Sequence, residues 1–326
     1  MSGIARRSLL GGLIAAGVGP TVPARASDWP NRSVSWIVPF PAGGGSDMFS
    51  RPIAARVAEA IGESVVIDNR SGAGGTVGTA VAARATPDGY TMLVGDTGLV
   101  YAPSIYPRAG FDFLRDFAPI AAFGRVPYAL VVNPARIDAA NLEAFIAMAK
   151  KAPGSIDVGS AGLGTVTHLA IGLFEGRAGV AFTHVPYRGG APMLQDLLAG
   201  QIGAAFVLVS AVAGSVRSGK LRALAVINRR RDVQLPDVPT AHEAGLAEFR
   251  MTTWFGLFAP IRTPDIVLDR VHAAVQRALG SEEVRRLWAE HGAKVELESR
   301  ADFADFIGRE AERWNRIAKA ANVQME

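Results

Sequence analysis

Val34-Ser35-Trp36-Ile37-Val38-Pro39-Phe40-Pro41-Ala42-Gly43-Gly44-Gly45-Ser46-Asp47 carries an apolar run into three glycines and out through Ser-Asp into a helical pattern. Such a segment is a strand, a tight loop and a helix N-terminus. The first turn of a helix leaves backbone N–H groups unpartnered and adds the positive end of the helix dipole. The junction can therefore receive an anion without a charged side chain. Ser46 is expected to cap this helix through its side chain, with donation to a bound carboxylate as the alternative. Asp47 is expected at the first helical position, where a carboxylate favours the dipole. It would repel an anionic ligand, so its alternatives are to meet a ligand ammonium group or to orient a water.

Upstream lies the pattern of an export signal. Arg6-Arg7 form its charged start, Leu9–Val18 its short apolar stretch, and Ala24-Arg25-Ala26 its cleavage pattern. Residues 1–26 are expected to be removed, leaving a chain that begins near Ser27 in the periplasm. Arg-Arg-Ser-Leu-Leu also resembles a twin-arginine signal, so both export routes stay open. Without Arg6, Arg7 and Arg25 the 34 basic residues become 31, against 30 acidic ones. A net charge this small gives no field for nucleic acid. The 326-residue chain has no cysteine, which excludes disulfides, thiolate metal sites and a cysteine nucleophile.

Downstream, apolar β-rich runs alternate with helical ones, which argues for parallel sheets covered on both faces. Strands are expected at 34–40, 64–69, 91–94, 129–132, 156–159, 183–185, 202–206 and 221–227. Five strand ends run into Gly/Ser/Thr loops: Gly43–Asp47, Ser71–Thr76, Gly95–Gly98 (with Thr97), Gly159–Thr165 and Tyr187–Gly190. Ligands of open α/β sheets bind at that end of the strands. Phe49, Ile53, Val57 and Ile61 share a helical stripe that Pro52 is expected to tighten or kink. Asn141 reads as the cap of a helix over 142–151, and Thr240 as the cap of a short helix stopped by Gly245. The last seventy residues read as helices over 264–279, 281–291 and 301–322, with a short strand at 294–297. The last helix, with Phe303, Phe306, Ile307, Trp314 and Ile317, is expected to pack on a domain surface. Two candidate crossings between domains are 120–134, split by Pro127, and 249–260.

Several chemistries find no support. Gly72 to Gly78 reads G-x-G-G-x-x-G, out of phase with a dinucleotide fingerprint, and no G-K-[ST] follows. That loop is read as one that lets backbone approach a small ligand. Gly159-Ser160-Ala161-Gly162 is not a nucleophile elbow, because residue 158 is Val. The five histidines lack zinc spacing, and His168 reads as a structural hydrogen-bonder. No cofactor and no metal is expected. Arg188, beside Tyr187, is the candidate charged contact for a carboxylate, since a guanidinium grips it in bidentate fashion; it can equally face solvent. Arg229-Arg230-Arg231 reads as a solvated loop, with docking to a membrane partner as the alternative.

The segments VPFPAGGGSD, VIDNRSGAGGTVGTAVAARATPDGYTMLVGDTG, GSAGLGTVTHLAIGLFEGRAG, HVPYRGGAPMLQDLLAGQIGAAF, SGKLRALAV and LPDVPTAHEAG occur in this order. The series closely resembles the Bug-type, TctC-like solute receptors of tripartite tricarboxylate transporters, from about Trp36 to the C-terminus. The resemblance implies a two-lobed type II periplasmic-binding-protein fold of α/β lobes, each a mainly parallel sheet flanked by helices, with two crossover segments. Lobe 1 would be residues 27–126 and 254–326, and lobe 2 residues 127–253. It also implies a small carboxylate ligand (a di- or tricarboxylate, aromatic acid or acidic amino acid), no catalysis, and two integral membrane partner subunits. The receptor itself would be a soluble monomer. A sensor role and an exported hydrolase are the alternatives. Residue by residue, the resemblance places Gly43, Gly44, Gly45, Ser46 and Asp47 in a first pincer loop and Ser71–Gly75, including Gly74, beside it. Ser160, Ala161, Gly162 and Thr165 would face them, followed by Tyr187 and Arg188. Where the family usually has an Asp near 203 and polar residues soon after Phe206, this chain has Gly203 and Val207-Leu208-Val209, which implies a less polar pocket wall.

Overall fold

In a computed structural model, the described residues are 29–320 apart from 248, 250 and 296. The export signal therefore lies outside the described residues, as does the helix end expected at 322. Nine strands and eleven α-helices are described. The first part of the chain runs β1 (Val34–Val38), α1 (Gly45–Ile61), β2 (Val65–Asn69), a 3-10 turn (Ala73–Gly75), α2 (Thr76–Ala83), β3 (Thr91–Asp96), α3 (Thr97–Ile105), α4 (Phe113–Asp116) and β4 (Phe117–Val132). Then come α5 (Leu142–Lys151), β5 (Asp157–Ser160), α6 (Val166–Ala178), β6 (Thr183–Pro186), α7 (Gly190–Leu198), β7 (Ala204–Leu208), α8 (Val209–Arg217) and β8 (Arg222–Val226). The chain closes with β9 (Thr252–Pro260), α9 (Asp265–Gly280), α10 (Glu282–Glu290) and α11 (Arg300–Ala320).

The strands order as β2-β1-β3-β9-β4-β7-β5-β6, with β8 also on β4. β1 is parallel to β2 and β3, and β5 is parallel to β6 and β7. β4 and β9 run against them. The parallel strands put their carboxyl ends, and the helix N-termini that follow, on the same side of each half.

β4 corrects the expected short strand at 129–132. It is a single 16-residue strand. Phe117–Pro127 pair with β9, whereas Tyr128–Val132 pair with β7 and β8. Pro127 does not break it, because it lies at the last rung of the β9 ladder, opposite Thr252. Register shifts near Pro119 and Gly124 absorb the irregularity of those residues. The return crossing follows β8, where Met251 N–H donates to the Ile227 carbonyl just before β9 begins.

Smaller expectations are also adjusted. The short helix after Thr240 is only turns, although Thr240 and Glu243 exchange the reciprocal bonds of a capping box. The strand at 294–297 reduces to one bridge, Lys294 to Arg125. Pro52 sits inside α1, which continues through it to Ile61. Asn141 caps α5 by accepting from Ala144 N–H. In α11, Phe303, Ile307 and Trp314 are buried, and Trp314 stacks on Tyr101 of α3 at 5.6 Å. A second aromatic cluster of Phe49, Phe255 and Trp288 lies directly beneath the first turns of α1, so the glycine loop rests on a packed floor.

Candidate ligand cleft

The β1–α1 loop is built by two devices. Gly43 takes a left-handed φ of +78°, which favours glycine, and Gly44 N–H reaches back to the Pro41 carbonyl. The helix then starts at Gly45, with Gly44 as its cap residue and no side-chain cap. This corrects the expected role of Ser46. It lies inside the first turn, and its hydroxyl donates to the Asp96 carboxylate instead.

Asp47 is likewise two residues deeper than expected, at the third helical position. It is buried and accepts four bonds: from Gly43 N–H at 2.9 Å, Arg51 Nε at 2.8 Å, Arg51 Nη2 at 2.7 Å and Asn69 Nδ2 at 3.0 Å. Burial alone would raise its pKa. The bonds from Arg51, Gly43 and Asn69 outweigh that and hold its carboxyl below the usual range. Its charge is spent on Arg51, and it faces the loop from behind.

Above the loop, a cavity of about 110 Å³ lies between the two halves of the sheet. That is several times the space that one water needs, about 10–15 Å³. Gly43, Gly44, Gly45 and Ser46 form one wall and Ala161 and Thr165 another. The ends of α1, α6, α7 and α8 that carry free N–H groups all border it, through Gly45, Val166, Gly190 and Ala211. The remaining surface is largely apolar, with Phe40, Met193, Leu194, Phe206 and Phe255. Val207 and Leu208 also line it, so the apolar replacement expected at that position does face the cavity. Gly203 does not. Its N–H donates to Asp157 Oδ1 at 2.6 Å, away from the cleft.

Ser71, Gly74, Gly162, Tyr187 and Arg188 border a separate outer cavity of about 590 Å³ that shares only Phe40 and Ala161 with the inner one. Arg188 is exposed there, and no hydrogen bond or ion pair to it is described. Thr97 is buried behind the inner wall, where its hydroxyl accepts from Trp254 N–H at 3.1 Å. Ser160 is fully buried, and its Oγ lies 2.7 Å from His184 Nε2. That distance suits a nucleophile and its base, but the ring behind is His168, stacked on His184 at 4.3 Å, and not an orienting carboxylate. Burial, then the neighbouring His168, lower the His184 pKa to about 4, so the pair is neutral at pH 7. His168 Nδ1 accepts Gly164 N–H at 3.1 Å, as its structural reading expects. No group of three His, Asp or Glu suited to a metal occurs among the described residues.

Reading the residues alone missed the Asp96 side chain, Tyr128, Phe206 and the α7 side chains Met193 and Leu194. Asp96 lines the inner cavity and caps α3 by accepting from Gly98 N–H at 2.8 Å. Its signal was present, since Asp before Thr-Gly at a strand end is a cap pattern. Burial pushes its pKa up to about 6, against the opposing bonds from Gly98, Leu99 and Ser46.

The two halves touch across the cleft. Tyr106, which follows α3, donates its hydroxyl to the Leu163 carbonyl of the facing loop. A Cβ added at Gly164 would lie 2.5 Å from the Tyr106 ring, and one at Gly189 2.8 Å from Pro41. Tyr106→Phe keeps the ring and removes the bond. A net hydrogen bond is worth about 0.5–1.5 kcal/mol, so ligand affinity should fall roughly two- to tenfold. Calorimetric titration checks this, and an unchanged affinity would show that the contact does not hold the closed form.

Two α/β halves, crossed by long strands and enclosing a cavity at the carboxyl ends of their strands, define a two-lobed type II periplasmic-binding-protein fold, a solute receptor by class. The model of the tripartite tricarboxylate transporter family receptor matches residues 49–323, and the chain belongs to that family. The chain is 38% identical to the UPF0065 protein in the tcbD-tcbE intergenic region of Pseudomonas sp. strain P51, over 97% of this chain and 95% of that one. Its structure superposes with a TM-score of 0.87 on periplasmic binding protein BugD, at 32% identity, covering 91% of this chain and all (100%) of that one. The TM-score is 0.86 with R. palustris Rpa4515 with adipate, at 35% identity, covering 90% of this chain and 99% of that one. The family is one of transporter receptors, and BugD is named a periplasmic binding protein, which answers the hydrolase alternative. Among the described residues no helix is long and apolar enough to cross a membrane.

Proposed function

We propose that this receptor binds a small carboxylate in the inner cavity and closes its two lobes around it. The observation that carries the reading is the convergence of the α1, α6 and α7 N-termini on a cavity with largely apolar walls and no cationic side chain. Backbone N–H groups and helix dipoles supply the positive potential there, and they act strongly because little water remains. The adipate in the similar R. palustris protein supports a carboxylate as the ligand class.

In this reading, lobe 1 comprises residues 27–126 and 254–326 and lobe 2 residues 127–253. The hinge lies where β4 changes partners and where the chain returns before β9. Gly43–Ser46 and Ala161–Thr165 are the two jaws. Ser71, Gly74 and Arg188 belong to the entrance, where Arg188 attracts an anion before closure. Asp47, Thr97 and Ser160 hold the jaws in shape. The chain is exported by residues 1–26, and the closed form presents a joint surface of both lobes to two integral membrane subunits.

A thermal-shift screen of residues 27–326 against dicarboxylates, tricarboxylates, aromatic acids and amino acids tests the ligand class. At least one carboxylate should raise the midpoint, in proportion to the logarithm of its concentration once saturating. Stabilisation only by neutral sugars or nucleotides would refute it.

A further inference from the structure

Resting on the carboxylate reading above, we propose that Asp96 selects ligands that carry a protonated amine as well as a carboxylate. Asp96 ends β3, held between β1 and β9 in the sheet, so its position at the cavity wall is fixed by the backbone. The lining holds no Lys, Arg or His. Asp96 is therefore the one carboxylate in a small apolar space with no cationic side chain beside it. Two N–H groups and the Ser46 hydroxyl already bind it, which pins the carboxylate without neutralising it.

Two consequences follow for a ligand. One carboxylate is accommodated at the jaws, where helix N-termini converge. A second ionised carboxylate would share the cavity with Asp96 and be repelled, whereas an ammonium would complete the charge balance. The rings of Phe40, Tyr128 and Phe255 are also among the lining, and aromatic rings suit a cation. The ammonium partner that the sequence invited one to seek at Asp47 is thus supplied from the β3–α3 junction, because Asp47 is occupied by Arg51.

The groups that interact electrostatically with Asp96 are the phenols of Tyr101 and Tyr128. Burial raises both pKa values, so both stay neutral between pH 5 and pH 8 and Asp96 alone titrates at the cavity wall. With a carboxyl near 6, falling pH neutralises Asp96 and weakens its hold on an amine, by about tenfold from pH 7.5 to pH 5.

The test is calorimetric titration of residues 27–326 with matched pairs: glutamate and glutarate, phenylalanine and 3-phenylpropanoate, 4-aminobutanoate and butanoate, with adipate alongside. At pH 7.5 the amine of at least one pair should bind about tenfold more tightly than its partner. Asp96→Asn keeps a good helix cap and should cut that preference to about twofold or less; Asp96→Ser serves if the Asn variant loses its thermal midpoint. Des-amino acids or adipate binding as tightly as every amine overturn the inference and leave the carboxylate reading intact. So does an amine preference that survives the substitution. Binding by no member of the panel defeats both.

Discussion

Gly45→Val is expected to weaken carboxylate binding by up to about a hundred-and-fiftyfold while leaving the fold in place. A Cβ at Gly45 would lie 2.6 Å from Leu208 Cδ1 and 2.9 Å from Phe255 Cζ. Leu208 ends β7 in the opposite half, so that clash arises only when the lobes approach. Overpacking typically costs about 1–3 kcal/mol, which is roughly five- to a hundred-and-fiftyfold in affinity. Phe255 belongs to the same half as Gly45, and its ring must shift a little in either state. The unliganded thermal midpoint should consequently drop by only a few degrees. Gly44→Val is the milder neighbour, since its Cβ would meet only the Pro41 carbonyl oxygen at 3.3 Å. Equal affinities for wild type and Gly45→Val would remove the β1–α1 loop from the binding site.

Asp47→Ala should produce the largest loss of stability. It removes the acceptor for Gly43 N–H, Asn69 and both bonds from Arg51. Bonds to a charged group are worth about 1.5–3 kcal/mol each, but Arg51 is half exposed and recovers much of its solvation. A net cost of about 2 kcal/mol remains, or roughly 4–8 °C in midpoint. Ligand affinity should fall too, because the bond that fixes the left-handed turn at Gly43 is gone. The lowered carboxyl pKa gives a further signature. The folded pKa lies below the unfolded one, so the stabilisation is complete above about pH 4 and fades as the pH falls through the folded value. Wild type and Asp47→Ala should therefore converge in stability in strong acid. A midpoint within 1 °C or so of wild type at pH 7 would show that the ion pair is ornamental.

The frame of this fold was legible wherever local chemistry decides the outcome. The alternation of strands and helices, the Asn141 cap and the amphipathic stripe from Phe303 to Ile317 all follow from periodicity and capping, and the structure has them. β4 was not legible in full. Pro127 read as a split, and only the register with β9 shows that it sits at a ladder end, with two bulges at Pro119 and Gly124. The ligand cleft was readable as a set of loops and not as a set of contacts. Which loop residues face inward depends on how the two halves meet, and that places Gly45 against Leu208 and sends Ser71, Gly74 and Arg188 to an outer cavity. Asp47 and Asp96 show the difference most clearly. Both are carboxylates at the start of a helix. Arg51, one turn along α1, pairs with Asp47 and turns it away from the cavity, whereas no cation meets Asp96.

The most direct test of the account is a crystal structure of residues 27–326 with the carboxylate that stabilises it most. The lobes should be closed, with one ligand carboxylate accepting backbone N–H groups from both jaws, Gly43–Ser46 and Ala161–Thr165. A ligand carboxylate held by Arg188 in the outer cavity, or contacting one lobe alone, would contradict the account.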